Sequence, residues 1–309
     1  MFIRHKSCTG HRAAIYALAR SHTPNHFLSA GGDGWIVEWN LTDPETGRLL
    51  ANIGTQLFSL TTSPEDWHEQ LIIAGNMTGG IHWINQANPL QNKNIQHHQK
   101  GVFSLLWVQD ELFSAGGDGI LTRWNPSKKS AIESYQLSNK SLRSISYSPE
   151  QDLLAVGSSD GNIYLTQRAD LKLVQIIPAH TNSVFALSWI NPEQILVSGG
   201  RDALLKAWDN NFQQVGAQPA HWYTINHIAQ SPDLSLIATA SRDKTIKIWS
   251  TPDLALLKVL DSGRDSGHFN SVNHLLWMTE NTLISCSDDR TVLIWQSTLH
   301  PTQELYTAL

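Results

Sequence analysis

His180, Ser198 and Asp202 put an imidazole, a hydroxyl and a carboxylate into one stretch, residues 179–209. In acyl-transfer enzymes those types are the base, the nucleophile and the group that orients the base. Gly157-Ser158-Ser159-Asp160-Gly161 also fits Gly-x-Ser-x-Gly, the string of a nucleophile elbow. Fourteen histidines raise a third chemistry, metal binding. Each reading has an argument against it. The first set recurs along the chain, and an enzyme needs one. An elbow requires a strand-to-helix turn, whereas this string stands where sister units carry a strand-to-strand hairpin. No His-Glu-x-x-His and no Cys/His set with zinc spacing occurs. The adjacent pair His97-His98 would point to opposite faces of a strand. His5, His68, His82, His227, His274 and His300 read as structural or solvated. No catalytic residue, metal ligand or cofactor is assigned.

The elements that position these residues repeat. An Asp precedes a Trp by six residues at Asp33 and Trp39, Asp118 and Trp124, Asp202 and Trp208, Asp243 and Trp249, and Asp289 and Trp295. Four residues before each Asp is a hydroxyl: Ser29, Ser114, Ser198, Thr239, Ser285. A histidine lies 20 to 22 residues before each Asp: His11, His98, His180, His221, His268. Two degraded units fill the gaps. One keeps Trp83 but has Met77 for Asp and Ile53 for His. The other keeps Asp160 but has Thr166 for Trp, Val156 for the hydroxyl and Ser138 for His. The seven Trp positions step by 41 to 46 residues, a period of four-stranded propeller blades. Short apolar or alternating runs such as VFALSW, ILVSG and LLKAW predict strands. GGDG, SSDG, GRDA, SRDK and SDDR are turn chemistry between two of them. Ser-Pro-Glu and Ser-Pro-Asp at Ser63, Ser148 and Ser231 mark the preceding hairpin.

On these residues the chain resembles the WD-repeat (WD40) family over essentially its full length. Gly10-His11 and Gly267-His268 match the family's Gly-His, and Trp208-Asp209 is the one literal Trp-Asp. The resemblance implies an all-β fold: a closed seven-bladed β-propeller of four-stranded antiparallel blades, one domain over residues 1–309. It implies that residues 2–5 supply the outer strand of blade seven, with the tail 299–309 as the alternative supplier. It also implies that in each blade Asp accepts from His and from turn amides, while the hydroxyl bridges His to the Trp indole.

A partner is then expected on the loops of a rigid scaffold. Five residues after each network histidine, near the mouth of the central channel in the family's geometry, stand Tyr16, Phe58, Phe103, Arg143, Phe185, Asn226 and Asn273. Aromatics and arginine dominate interface anchors. The residue before each hairpin Asp, which reads Gly32, Asn76, Gly117, Ser159, Arg201, Arg242 and Asp288, should reach the same face. Arg201 and Arg242 form a small basic spot on blades five and six, and the longest loop there is residues 261–267. On the opposite face an exposed Trp67 is a second candidate contact. The degraded blades two and four are expected to be less rigid.

A net charge of −5 with no basic stripe argues against nucleic acid. No signal peptide and no run of about 18 apolar residues is evident, so no membrane span is expected. The two cysteines, Cys8 and Cys286, make no disulfide framework. The expected protein is cytoplasmic, a non-enzymatic scaffold for protein or peptide partners. A small-ligand or enzymatic propeller with a site in the channel is the alternative. A ubiquitin-ligase substrate receptor is disfavoured, because Asn210-Asn211 follows Trp208-Asp209 and no Trp-Asp-x-Arg box results.

Overall fold

A computed structural model describes residues 2–190, 194–251 and 253–297. Those residues form seven four-stranded antiparallel sheets. Six of the sheets are laid down in chain order from the channel outward. Blade one, for example, runs Ile15–Arg20, His26–Gly31, Trp35–Asn40 and Arg48–Asn52. The innermost strand of every sheet packs on the innermost strand of the next, and that of the seventh packs on that of the first, so the ring is closed. Among the described residues no helix is long and apolar enough to cross a membrane.

Alternation along the strands explains the core. Seven apolar clusters fill the seven gaps between neighbouring blades. One joins Ala238, Ile246 and Ile248 of blade six to Leu275, Trp277 and Trp295 of blade seven. Another joins Ile284 and Val292 of blade seven to Ile15, Phe27 and Trp39 of blade one. The apolar outer strands were legible in composition. The outer strands of blades two and five, Lys93–Gln96 and Gln214–Pro219, were not, because each carries only one large apolar side chain, Ile95 and Val215, and mostly faces water.

Blade seven is completed by the start of the chain. Phe2–Cys8 pairs antiparallel with Val292–Ser297, from Phe2 opposite Ser297 to Cys8 opposite Val292. The tail 299–309 lies outside the described residues, as does His300. Phe2 is buried edge-on against Trp277, with ring centroids 5.6 Å apart. Cys8 and Cys286 sit on either side of Val292 as free, buried thiols. Burial pushes the Cys8 thiol up to about 12 and raises Cys286 as well.

Removing residues 2–8 would leave the Val292–Ser297 edge unpaired and uncover Trp277. Phe2→Ala alone is expected to cost about 3 kcal/mol, and deletion of residues 2–8 more. Thermal unfolding followed by circular dichroism checks this; a deletion that unfolds at the wild-type temperature would show that the strand adds nothing to closure.

Candidate functional site at the channel mouth

The residues with triad types are where the repeat predicts, and their geometry shows what they do. In blade five His180 Nδ1 lies 2.9 Å from Asp202, His180 Nε2 lies 2.8 Å from Ser198 Oγ, and Trp208 Nε1 donates to Ser198 Oγ at 2.9 Å. Blades one, three, six and seven repeat the arrangement, with every His–hydroxyl distance at 2.8 Å. A carboxylate only accepts, so the Nδ1 proton belongs on the side of Asp, and Nε2 of the neutral ring then accepts from the hydroxyl. Each hydroxyl is fully buried, and its oxygen is already taken by an indole. No substrate carbonyl can reach it. The set ties the loop entering the blade to the second and third strands; it is not a nucleophile.

Each Asp also accepts two backbone amides. One belongs to the residue after the histidine and one to the residue two places after the Asp, as Trp222 and Thr245 do for Asp243. Burial alone would raise the Asp243 and Asp289 carboxyls. The His268 and Thr291 hydrogen bonds outweigh it and hold Asp289 down at about 2, and His221 and its neighbours lower Asp243 likewise. Burial also lowers His11, His180 and His221, partly offset by their Asp partners.

The two degraded blades substitute other bonds. In blade four Asp160 accepts from Ser138 at 2.5 Å and from Tyr164 at 2.8 Å, while Thr166 Oγ1 is buried without a partner. In blade two Asn76 takes the carboxylate's role. Its Oδ1 accepts the Thr78 and Gly80 amides and its Nδ2 meets His82 Nε2 at 3.0 Å. Asn76 is therefore buried in its own hairpin and does not reach the outer face as expected.

Every position in the channel register is a β-bulge. In all seven innermost strands the pairing slips at the residue five after the network position: Tyr16, Phe58, Phe103, Arg143, Phe185, Asn226 and Asn273. A bulge leaves its residue unpaired and re-aims the side chain, and all seven line the channel. Five of them touch in sequence around the ring. Tyr16 meets Phe58 edge-on at 5.4 Å, and Phe58 stacks on Phe103 at 5.3 Å. The Arg143 guanidinium lies 4.1 Å over Phe103 and 5.2 Å from Phe185. Burial lowers the Arg143 pKa, and its Nε donates to Ser159 Oγ at 2.8 Å. A Cβ on Gly117 would come within 2.9 Å of the Phe103 ring, so the bare hairpin there makes room for the aromatic.

Blades six and seven differ. The Asn226 amide donates to Ser271 Oγ and to the Val272 carbonyl, and the Asn273 amide to the Ile15 carbonyl and Asp288. Their donors serve as ties between blades. Arg201 and Arg242 are exposed, with no ion pair among the described residues. Within the 261–267 loop the charges are matched: Arg264 pairs with Asp261, and Asp265 with Lys258. Trp67 is half-buried, not exposed, because it packs edge-on against Trp107 at 5.3 Å.

Three residues escaped the sequence reading. Trp222, Tyr223 and Phe269 are 87%, 61% and 67% exposed. Trp222 and Phe269 directly follow the network histidines, and their amides are clamped by Asp243 and Asp289. The signal was available: the same position reads Arg12, Gly54, Gln99, Asn139 and Thr181 in the other blades.

Comparison with known proteins agrees with this architecture. A family model described as WD domain, G-beta repeat matches residues 3–40, 212–250 and 258–296, and one described as an N-terminal beta-propeller domain matches 78–204. The chain is a seven-bladed β-propeller that carries WD repeats. Among WD-repeat relatives, the protein transport protein sec13 of Emericella nidulans is 25% identical over 253 residues, 67% of this chain and 80% of that protein. The human serine-threonine kinase receptor-associated protein is 23% identical over 247 residues, 78% of this chain and 68% of that protein. The crystal structure of the WD40 beta propeller domain of Doa1 superposes with a TM-score of 0.82 at 20% identity, covering 96% of this chain and 97% of that one, which speaks for the fold.

Ser198→Ala leaves two buried partners, His180 and Trp208, without a mate and should cost about 2–4 kcal/mol, read as a lower unfolding midpoint; an unchanged midpoint would contradict the tie. Acid should weaken the propeller in two stages. Histidines held below their unfolded pKa of about 6.5 stay neutral in the fold, so stability falls once the unfolded chain takes up protons below that value. The depressed Asp243 and Asp289 add a second loss as pH falls below about 4 toward their folded values. Calorimetry from neutral to acid pH checks the sign; a midpoint that rises on acidification would refute it.

Proposed function

We propose that this protein is a non-catalytic WD-repeat scaffold that holds a protein or peptide partner on the face around the channel mouth. One observation carries this reading: the unbroken arc of Tyr16, Phe58, Phe103, Arg143 and Phe185, each aimed by a bulge and each in contact with the next. Rings at this density supply apolar contact at low entropic cost, and a guanidinium among them supplies direction. The partner therefore offers apolar side chains to the rings and a carboxylate or carbonyl to Arg143. Trp222, Tyr223, Phe269, Arg201 and Arg242 extend the surface outward over blades five to seven. The channel cavity of about 230 Å³ is smaller than the roughly 300–1,000 Å³ usual for small-molecule sites, which favours recognition across the mouth over a ligand inside it. The names of relatives point the same way, since one is receptor-associated and another a transport protein. The free cysteines suit a reducing setting, the cytoplasm.

Phe103→Ala combined with Phe185→Ala tests the proposal. Proteins recovered by affinity capture on the wild type should be lost from the double variant, while its far-ultraviolet circular dichroism stays that of a folded propeller. Undiminished recovery by the folded double variant would refute the channel-mouth reading.

A further inference from the structure

The opposite face carries a separate cavity. Hairpins between the first and second strands of blades one, two and three enclose about 650 Å³ there. Trp67 and Trp107 form part of its wall, ring planes at 71°. Three exposed carboxylates, Glu65, Asp66 and Asp110, line it as well, and no ion pair engages them among the described residues. Against these three carboxylates stand one guanidinium, Arg20, and one imidazole, His22. Arg20 donates to the carbonyls of Trp277 and Met278 in blade seven, both at 2.8 Å, and burial lowers the His22 pKa. The lining is thus net negative around two indole rings.

The walls are held in place before anything binds. Ser63 Oγ donates to the Glu69 carbonyl at 2.8 Å and accepts the Leu71 amide at 3.0 Å, while His22 of blade one braces Ser63 at 3.0 Å. The Trp107 indole donates to the Gln109 carbonyl at 2.7 Å, and the Trp67 backbone amide to Pro64 at 3.1 Å. The Trp67 indole N–H is buried with no partner. Indole faces attract ammonium and guanidinium groups, and a carboxylate rim strengthens that preference and excludes anions.

We propose that this cavity receives a lysine or arginine side chain from a basic peptide segment of a second protein. The carboxylates neutralise the head group, the Trp67 and Trp107 rings take its stem, and the peptide's carbonyls supply acceptors for the hairpin. The site lies across the ring from the channel mouth and does not depend on it, so the scaffold has two faces of opposite preference.

Isothermal titration with two synthetic peptides tests this, one of alternating glycine, lysine and arginine and one with the cations replaced by glutamate. The basic peptide should bind, more weakly as salt rises, and the acidic one should not. The triple variant E65Q/D66N/D110N alters only exposed side chains, so its unfolding midpoint should match the wild type while its affinity for the basic peptide falls by about tenfold or more. The Phe103→Ala/Phe185→Ala variant should bind the basic peptide as the wild type does, which separates this site from the channel mouth. No binding of the basic peptide, equal binding of both peptides, or undiminished binding by the folded triple variant would each overturn the proposal.

Discussion

A carboxylate set beneath a hairpin must be given donors, and in this propeller that demand organises each complete blade. Asp202 takes His180, the Thr181 amide and the Leu204 amide. The histidine then needs a donor on its other nitrogen, Ser198 provides it, and Trp208 completes the serine. Satisfying one buried charge therefore joins the entering loop, the second strand and the third strand. The same amide bonds hold the residue after each histidine, which in blades six and seven is an exposed aromatic. Five residues beyond each histidine the bulge turns a side chain into the channel. The channel-mouth side chains are thus presented on a frame held by the donors that its carboxylates require.

The ring is asymmetric in what it presents. Blades one to five carry rings and a guanidinium at the bulge, followed by the small residues Ala17, Ser59, Ser104, Ser144 and Ala186. Blades six and seven carry asparagines followed by His227 and His274, whose rings stack at 3.7 Å; burial lowers both, His274 to about 4. The apolar arc and the polar sector divide the mouth, and the large exposed aromatics lie outside the polar sector. Apolar surface is thus offered at the centre of the mouth on one side and at its rim on the other.

Much of this was legible in residue spacing. His, hydroxyl, Asp and Trp must keep register to bond one another, so five complete copies reveal seven blades before any coordinate is known. The channel positions were legible too, as offsets from the histidine. What aims them was not, because a bulge is a property of how two strands pair and leaves no mark in composition. The same limit hid Tyr164 and Asn76, whose partners lie across a hairpin, and the burial of Trp67, which depends on Trp107 of the next blade. The outer strands Lys93–Gln96 and Gln214–Pro219 escaped for a simpler reason: an outer strand facing water carries no alternation to read.

The account rests on the hydrogen-bond order within the network, and nitrogen NMR of the imidazoles reads it directly. At neutral pH His11, His180 and His221 should be neutral, with a slowly exchanging proton on Nδ1 and an unprotonated Nε2 that accepts from Ser29, Ser198 and Thr239. Rings that carry the proton on Nε2, or that exchange it as freely as solvated histidine, would contradict the claim that these bonds hold the propeller together.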